Sequence, residues 1–201
     1  MRIYLIRHTT PLVEKGICYG QTDLDVTESF DEEVKMIRPH LPLTDIEVYS
    51  SPLKRCKKLA HSLYQDLDIK CYDDLMELNC GDWEMQKWDD IPSHEIDPWM
   101  NDFIHQFVPN GESYLSMHQR VVNRYEAIKE TGKNAVIVAH GGVLRSILAH
   151  ITQTPLKEAF DLFTLHYGCV VEISMEDNDP KHTILYNHSR EGKEWHRPTK
   201  N

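Results

Sequence analysis

Apolar residues fall along this chain in two alternating textures: short solid runs, and longer stretches with apolar positions every three to four residues. Ile3-Tyr4-Leu5-Ile6 is the first solid run, and residues 2–6 read as a strand buried on both faces. Residues 28–39 place Val34 and Ile37 on one helical face, and Pro39 stops that helix. Ile46 to Tyr49 reads as a second strand running into Ser50-Ser51-Pro52. Ser51 there suits an N-cap and Pro52 a first helical position. Leu53, Cys56, Ala60, Leu63 and Leu67 continue at helical spacing, and Ile69 to Tyr72 is a short strand candidate. Ser113 is placed to cap a helix bearing Leu115, Val121, Val122, Tyr125 and Ile128. A further solid run, Ala135 to Ala139, predicts another buried strand. Val143, Leu144, Ile147, Leu148 and Ile151 then line a helix expected to begin after Gly141-Gly142. Cys169 to Ser174 and His182 to Tyr186 read as strands joined by the turn-rich segment 176–180.

Strands alternating with helices predict an α/β fold, a three-layer αβα sandwich around a mainly parallel sheet, with an antiparallel hairpin edge at the C-terminal end. A length of 201 residues suits a single domain, 1–201, and no repeat divides it. Residues 81–112 differ in texture, holding three of the four Trp and three Pro. They read as a partly helical excursion whose rings either form a small aromatic core or stack on a flat ligand. The polar tail 188–201 is expected to fray.

Composition acts mainly by exclusion. With 22 basic and 32 acidic side chains the formal net charge is −10, which argues against a nucleic-acid or anionic-membrane binder. A small phosphorylated substrate stays open, because a few Arg and His can reverse the potential inside a cleft. The five cysteines (Cys18, Cys56, Cys71, Cys80, Cys169) contain no C-x-x-C pair, so neither a disulfide framework nor a zinc knuckle is expected. A reducing cytoplasm is the expected setting. The chain enters its first strand directly after Met1-Arg2, without a signal-type apolar region, and no apolar stretch approaches membrane-spanning length.

Two of the solid runs end in histidine: Arg7-His8 follows the first, and His140-Gly141-Gly142 follows the run 135–139. In open α/β sheets ligands bind beyond the carboxyl ends of parallel strands, so two central strands would deliver both histidines to one pocket. Arg55 falls in the first turn of a helix, where a cation opposes the macrodipole but where both serve an incoming anion. Glu77 lies between Leu75, Met76 and Leu78; if that segment is buried, desolvation favours the protonated acid. Gly141 and Gly142 let backbone amides approach a ligand. Taken singly, each has a plainer reading: a surface loop, an exposed Arg, a solvated Glu, a tight connection. Together they form an inventory for phosphoryl transfer to histidine, with an imidazole nucleophile, guanidinium clamps and a carboxylic acid for the leaving oxygen. A serine esterase would need a G-x-S-x-G elbow, which is absent. The twelve histidines include no H-x-x-x-H pair, so no metal is expected. A silent phosphate-ligand or partner-binding protein is the rival of a different class, and it would not need all five groups.

Arg7-His8-Thr9, Ser51 to Arg55, Glu77 and Ala139-His140-Gly141-Gly142, in that order, resemble the motifs of the histidine phosphatase superfamily with its phosphoglycerate-mutase-like fold. The resemblance runs from residue 2 to about 175. It implies a phosphomonoesterase in which His8 is phosphorylated, Glu77 donates the proton, and Arg7, Arg55 and His140 hold the phosphoryl group, with no cofactor or metal. Residues 16–24, Asn79 to Glu84 and Pro109 to Ser113 are similar to the alpha-ribazole phosphatases of cobalamin biosynthesis. That implies alpha-ribazole 5′-phosphate as substrate, with Tyr19, Gln21 and Thr22 among its contacts. A broad sugar-phosphate phosphatase or a mutase of the same superfamily is the alternative. The mutases usually carry Gly, Asn and Tyr where this chain has Thr9, Glu14 and Cys80, which favours hydrolysis.

Overall fold

The solid apolar runs become the middle of one six-stranded sheet in the computed structural model, which describes residues 1–176 and 179–189. Strands β1 (Arg2–Arg7), β2 (Glu47–Ser50), β3 (Ile69–Cys71) and β4 (Ala135–Ala139) are parallel, in the order β3-β2-β4-β1. β5 (Val170–Glu176) lies antiparallel beside β1, and β6 (Asp179–Tyr186) completes the predicted hairpin edge. All five residues of β4 are buried, as are all of β1 except Arg2. A central parallel strand is covered on both faces, so apolar side chains are needed at every position and no alternation appears.

Among the described residues five helices supply those covers, α1 (Phe30–Ile37), α2 (Lys54–Leu63), α4 (Tyr114–Lys129), α5 (Gly141–Thr152) and α6 (Leu156–Leu162), while α3 (Ser93–Asn101) lies apart from the two sheet faces. Ile3 and Leu5 of β1, with Ala135 and Ile137 of β4, pack against Met117, Val121 and Tyr125 of α4, Leu144 and Ile147 of α5, and Ala159 of α6. The intervening Tyr4, Ile6, Val136 and Val138 pack against Val34 and Ile37 of α1 and Cys56, Leu59 and Ala60 of α2. Successive side chains of a strand leave opposite faces, so one apolar run serves both cores. The three-layer sandwich is as the alternation predicts.

Several local expectations need correction. Ser51 does not cap α2: the chain stays extended through Leu53, at φ −66° and ψ 139°, and the helix begins at Lys54. The Ser51 hydroxyl is instead drawn to His140, 2.8 Å away. Leu67 lies beyond the end of α2 and is 38% exposed. α5 starts at Gly141, so both glycines belong to its first turn. α6, which buries only Ala159, carried too weak an apolar stripe to be predicted. On α4 the fully buried face includes Tyr114 and Met117, with Leu115 and Val122 at its edge. The excursion contains α3, and its rings pack on one another: Trp83 and Trp88 are 1% and 9% exposed, in a small core with Cys18, Cys80, Ile91 and Val108. Neither of those two indoles is free to stack on a ligand. Asp177 and Asn178 of the predicted turn, and most of the tail 188–201, lie outside the described residues.

Ser113 does cap α4, its Oγ accepting the Ser116 N–H at 3.1 Å. Ser113→Ala is therefore expected to lower unfolding stability by about 1 kcal/mol, read as an earlier urea midpoint at unchanged slope.

Candidate active site

Strand register explains why distant segments converge. Arg7 of β1 pairs with Ala139 of β4, and Ser50 of β2 pairs with Val138. The next residues, His8, Ser51 and His140, therefore leave the sheet side by side at one carboxyl edge. β5 runs the other way, so the segment 163–169 arrives at the same edge. There the Gly168 N–H donates to the His8 carbonyl and the Arg7 N–H to the Cys169 carbonyl, each at 3.1 Å.

The structure brings together Arg7, His8, Arg55, Glu77 and His140. Arg7, His8, Arg55 and His140 are 8%, 2%, 0% and 0% exposed. The two imidazole centroids are 5.1 Å apart. His8 Nδ1 donates to the Thr9 carbonyl at 2.7 Å. A carbonyl oxygen only accepts, so this bond places a proton on Nδ1, and in the neutral ring the lone pair is then on Nε2. His140 Nε2 sits 2.8 Å from Ser51 Oγ and 3.5 Å from Cys56 Sγ. Burial, then the charges of Arg55, His8 and Arg7, hold the His140 pKa well below the usual imidazole value. It stands in the site as a neutral ring that offers hydrogen bonds rather than charge. The Cys56 thiol beside it is pushed up to about 12 by burial and stays protonated.

Arg55 occupies the second position of α2, whose first turn holds no acidic residue. Its Nη1 donates to the Thr22 carbonyl at 2.8 Å and its Nη2 to the Gly20 carbonyl at 2.7 Å, while its buried Nε has no protein partner. Arg7 donates Nη1 to the Leu165 carbonyl. Glu77 is half-buried rather than sealed, and each of its oxygens accepts a backbone N–H at 3.0 Å, from Leu78 and from Gly142. A Cβ on Gly142 would stand 2.3 Å from Glu77 Oε1, so the close seat of this carboxylate on the first turn of α5 requires glycine there. Gly141 likewise lies against Arg7, where an added Cβ would come within 3.3 Å of Nε.

The expected substrate loop is fastened from beneath by a residue that sequence reasoning did not single out. The Glu84 carboxylate accepts backbone N–H groups of Gly20, Gln21 and Thr22, the Thr22 hydroxyl, and the Cys80 N–H. Burial works against its charge, but the Thr22 hydroxyl and the three loop amides hold its carboxyl below the usual range. Gln21 Nε2 reaches the Glu77 carbonyl at 3.0 Å, so the side chains of Gln21 and Thr22 both hold the loop in place. Tyr19 is half-buried, and its hydroxyl is 2.7 Å from that of Tyr167. A second hub, Arg120 of α4, donates to the Met76 and Glu77 carbonyls at 2.7 and 2.9 Å and to both oxygens of Glu112. Glu112 in turn accepts the Asn79 N–H. No spacing in the sequence announced Glu84, Arg120 or Tyr167. Glu84 and Glu112 did lie inside stretches noted for their resemblance.

Residues 3–188 match the family described as the histidine phosphatase superfamily, branch 1. The chain belongs to the histidine phosphatase superfamily. Relatives point the same way. It is 30% identical over 193 residues to a Hydrogenobacter thermophilus protein provisionally named phosphoserine phosphatase 2, covering 92% of this chain and 94% of that one. It is 29% identical over 178 residues to the adenosylcobalamin/alpha-ribazole phosphatase of Escherichia coli, covering 84% and 87%. The solved alpha-ribazole phosphatase of Shigella flexneri superposes with a TM-score of 0.82 at 25% identity, over the whole of both chains. Family and relatives alike make this histidine phosphatase a phosphatase by activity. Among the described residues no group of His, Cys, Asp and Glu is arranged to hold a metal, and no helix is long and apolar enough to cross a membrane.

The depressed His140 pKa carries a stability consequence. The unfolded ring takes a proton below about 6.5 while the folded ring does not. Stability is thus fully present above that value and is lost as pH falls beneath it, by at most about 1.4 kcal/mol per pH unit for this one group. Thermal midpoints measured from about pH 7 to about pH 5 are expected to fall less steeply in His140→Gln than in the parent protein.

Proposed function

We propose that this histidine phosphatase hydrolyses phosphomonoesters through a phosphohistidine on His8, with alpha-ribazole 5′-phosphate as its substrate. The observation that carries the reading is the His8 ring itself. Its Nδ1 is tied to the Thr9 carbonyl, and it is packed against a neutral His140 between two buried guanidiniums. The substrate phosphate takes the place left open at Arg55 Nε and lies between Arg7, Arg55, His140 and the backbone near Gly141. His8 Nε2 forms a bond to phosphorus while the ester P–O bond breaks. The leaving oxygen keeps that electron pair and takes the proton of Glu77 in its acid form. Water then attacks the phosphohistidine, Glu77 accepts its proton, and inorganic phosphate departs, leaving His8 as it began. Charge on the equatorial oxygens is met by groups already in position, commonly the largest single contribution in such sites.

Two structural features support a flat, extended leaving group. Loop 16–24, carrying Tyr19, is held rigidly over the site by Glu84 and Arg55. The similarity to alpha-ribazole phosphatases includes this loop together with the Glu84 segment that fastens it. Phosphoserine is the competing substrate, favoured by the relative that shares 30% identity. The five thiols are all free, which suits a reducing cytoplasm. The chemistry proposed needs no metal.

Protein quenched during turnover is expected to carry an acid-labile, base-stable phosphoryl group that is missing from His8→Ala. A parent protein without it would overturn the covalent route. Glu77→Gln is expected to slow alkyl phosphates about 100-fold or more, in keeping with general-acid contributions, and aryl phosphates with good leaving groups far less. Equal slowing would remove Glu77 as the acid. Rates on alpha-ribazole 5′-phosphate and phosphoserine compared side by side decide the substrate. Chelators are expected to leave these rates unchanged.

A further inference from the structure

Each phosphate-clamp arginine is backed by a tyrosine ring, and the two tyrosines touch. The Arg7 Cζ lies 3.9 Å from the Tyr167 ring centroid, and the Arg55 Cζ lies 5.4 Å from that of Tyr19. The hydroxyls of Tyr19 and Tyr167 are 2.7 Å apart. The Tyr167 ring also lies against His8, centroid to centroid 5.4 Å. An unbroken belt, Arg7–Tyr167–Tyr19–Arg55, therefore runs around the site, joining the turn before β5 to loop 16–24.

We propose that Tyr167 is a positioning residue of the phosphate clamp, its ring holding the Arg7 guanidinium at the spacing an oxyanion requires. Two guanidiniums gathered at one sheet edge repel each other. An aromatic face attracts a cation, so a ring under Arg7 offsets part of that repulsion. Stacking also suits the task better than a carboxylate partner would. A guanidinium carries all its N–H donors in its own plane. A ring on its face uses none of them, so the contact leaves those in-plane donors to make hydrogen bonds. The hydroxyl pair ties this ring to loop 16–24, so the position of Arg7 is coupled to that of the loop. Tyr167 reaches its place because β5 is antiparallel, which returns the preceding turn to the edge where β1 ends. The inference rests on the reading that Arg7 and Arg55 hold the phosphoryl group.

The test compares p-nitrophenyl phosphate hydrolysis and competitive inhibition by inorganic phosphate in the parent protein, Tyr167→Phe, Tyr167→Leu and Tyr167→Gln. Loss of the ring is expected to raise both KM and the phosphate inhibition constant about tenfold, the scale of one cation–π contact in a desolvated site, with kcat much less changed. Phe keeps the face and is expected to stay within about threefold of the parent by the same reasoning. Leu and Gln are both made so that a failure of one to fold leaves the other to decide. An unchanged phosphate inhibition constant in either ring-less variant overturns the proposal. So does damage by Phe as large as by Leu, which would put the function in the hydroxyl. If the parent protein itself forms no phosphohistidine, the reading of the site fails instead, and that outcome is separate from these.

Discussion

The Arg55 guanidinium is fully buried, and what holds it is backbone: the carbonyls of Gly20 and Thr22. Burying a cation costs several kcal/mol unless its donors are met. Carbonyl dipoles meet two of them without neutralising the charge. The same three-residue loop turns its N–H groups the other way, onto the Glu84 carboxylate. Residues 20–22 thus lie as a row of aligned dipoles between an anion and a cation. Arg55 is stabilised by Glu84 at a distance, through backbone, and its charge is left for the phosphate of the proposed reaction. A carboxylate bonded directly to Arg55 would instead fill the place that reading gives to the substrate.

Burial and accumulated positive potential then set the state of the neighbours. His140 is fully buried and stands beside two arginines and another imidazole; burial first, then those neighbours, favours its neutral form. Glu77 brings a carboxylate into this region. It is held by the N–H of Gly142 at the start of α5 and by the Arg120 grip on its own carbonyl. Its seat also needs the missing Cβ at Gly142, which would otherwise stand 2.3 Å from Oε1. In the proposed reaction this one carboxylate, placed by backbone contacts, gives a proton and later takes one back.

The strands that carry the site were legible because burial on both faces leaves a solid apolar run, and β1 and β4 show it. His8 and His140 were legible for the same reason: polar residues immediately after such a run must emerge at a strand end. Arg55 and Glu77 gained their meaning from order along the chain, not from their surroundings. Glu84 could not be read, because its loop partners lie 62 to 64 residues away and its neighbours Trp83 and Met85 give no hint of them. Tyr167 is separated from Tyr19 by 148 residues and is brought there only by the reversal of β5. The Ser51 cap was misread because Ser-Pro is a sound local signal for a helix start. A buried imidazole without a hydrogen-bond partner is costlier than an uncapped turn, and the tertiary demand won. Trp83 and Trp88 illustrate the opposite ambiguity, since a cluster of indoles looks the same in sequence whether it faces a ligand or itself.

This division of labour has a consequence for how such a site can change substrate. Under the proposed reading, His8 and His140 stand at the ends of β1 and β4, Arg55 on the first turn of α2, and Glu77 against the first turn of α5. The loop that borders the leaving group is held mainly through its main chain, by Glu84 from one side and Arg55 from the other. Main-chain fastening is indifferent to side-chain identity, so a change at position 19 can keep the backbone path of residues 20–22 while giving up the Tyr19 contacts to Tyr167 and Arg55. Gly20 marks the limit of that freedom, since a Cβ there would stand 1.8 Å from the Leu78 carbonyl. A Cβ at Gly20 would push the loop and take its carbonyl from Arg55, and so act on the proposed phosphate clamp, whereas a change at Tyr19 alters a side chain beside it. Under that reading chemistry and specificity are separated by one residue along the chain, according to which atoms, main-chain or side-chain, do the holding.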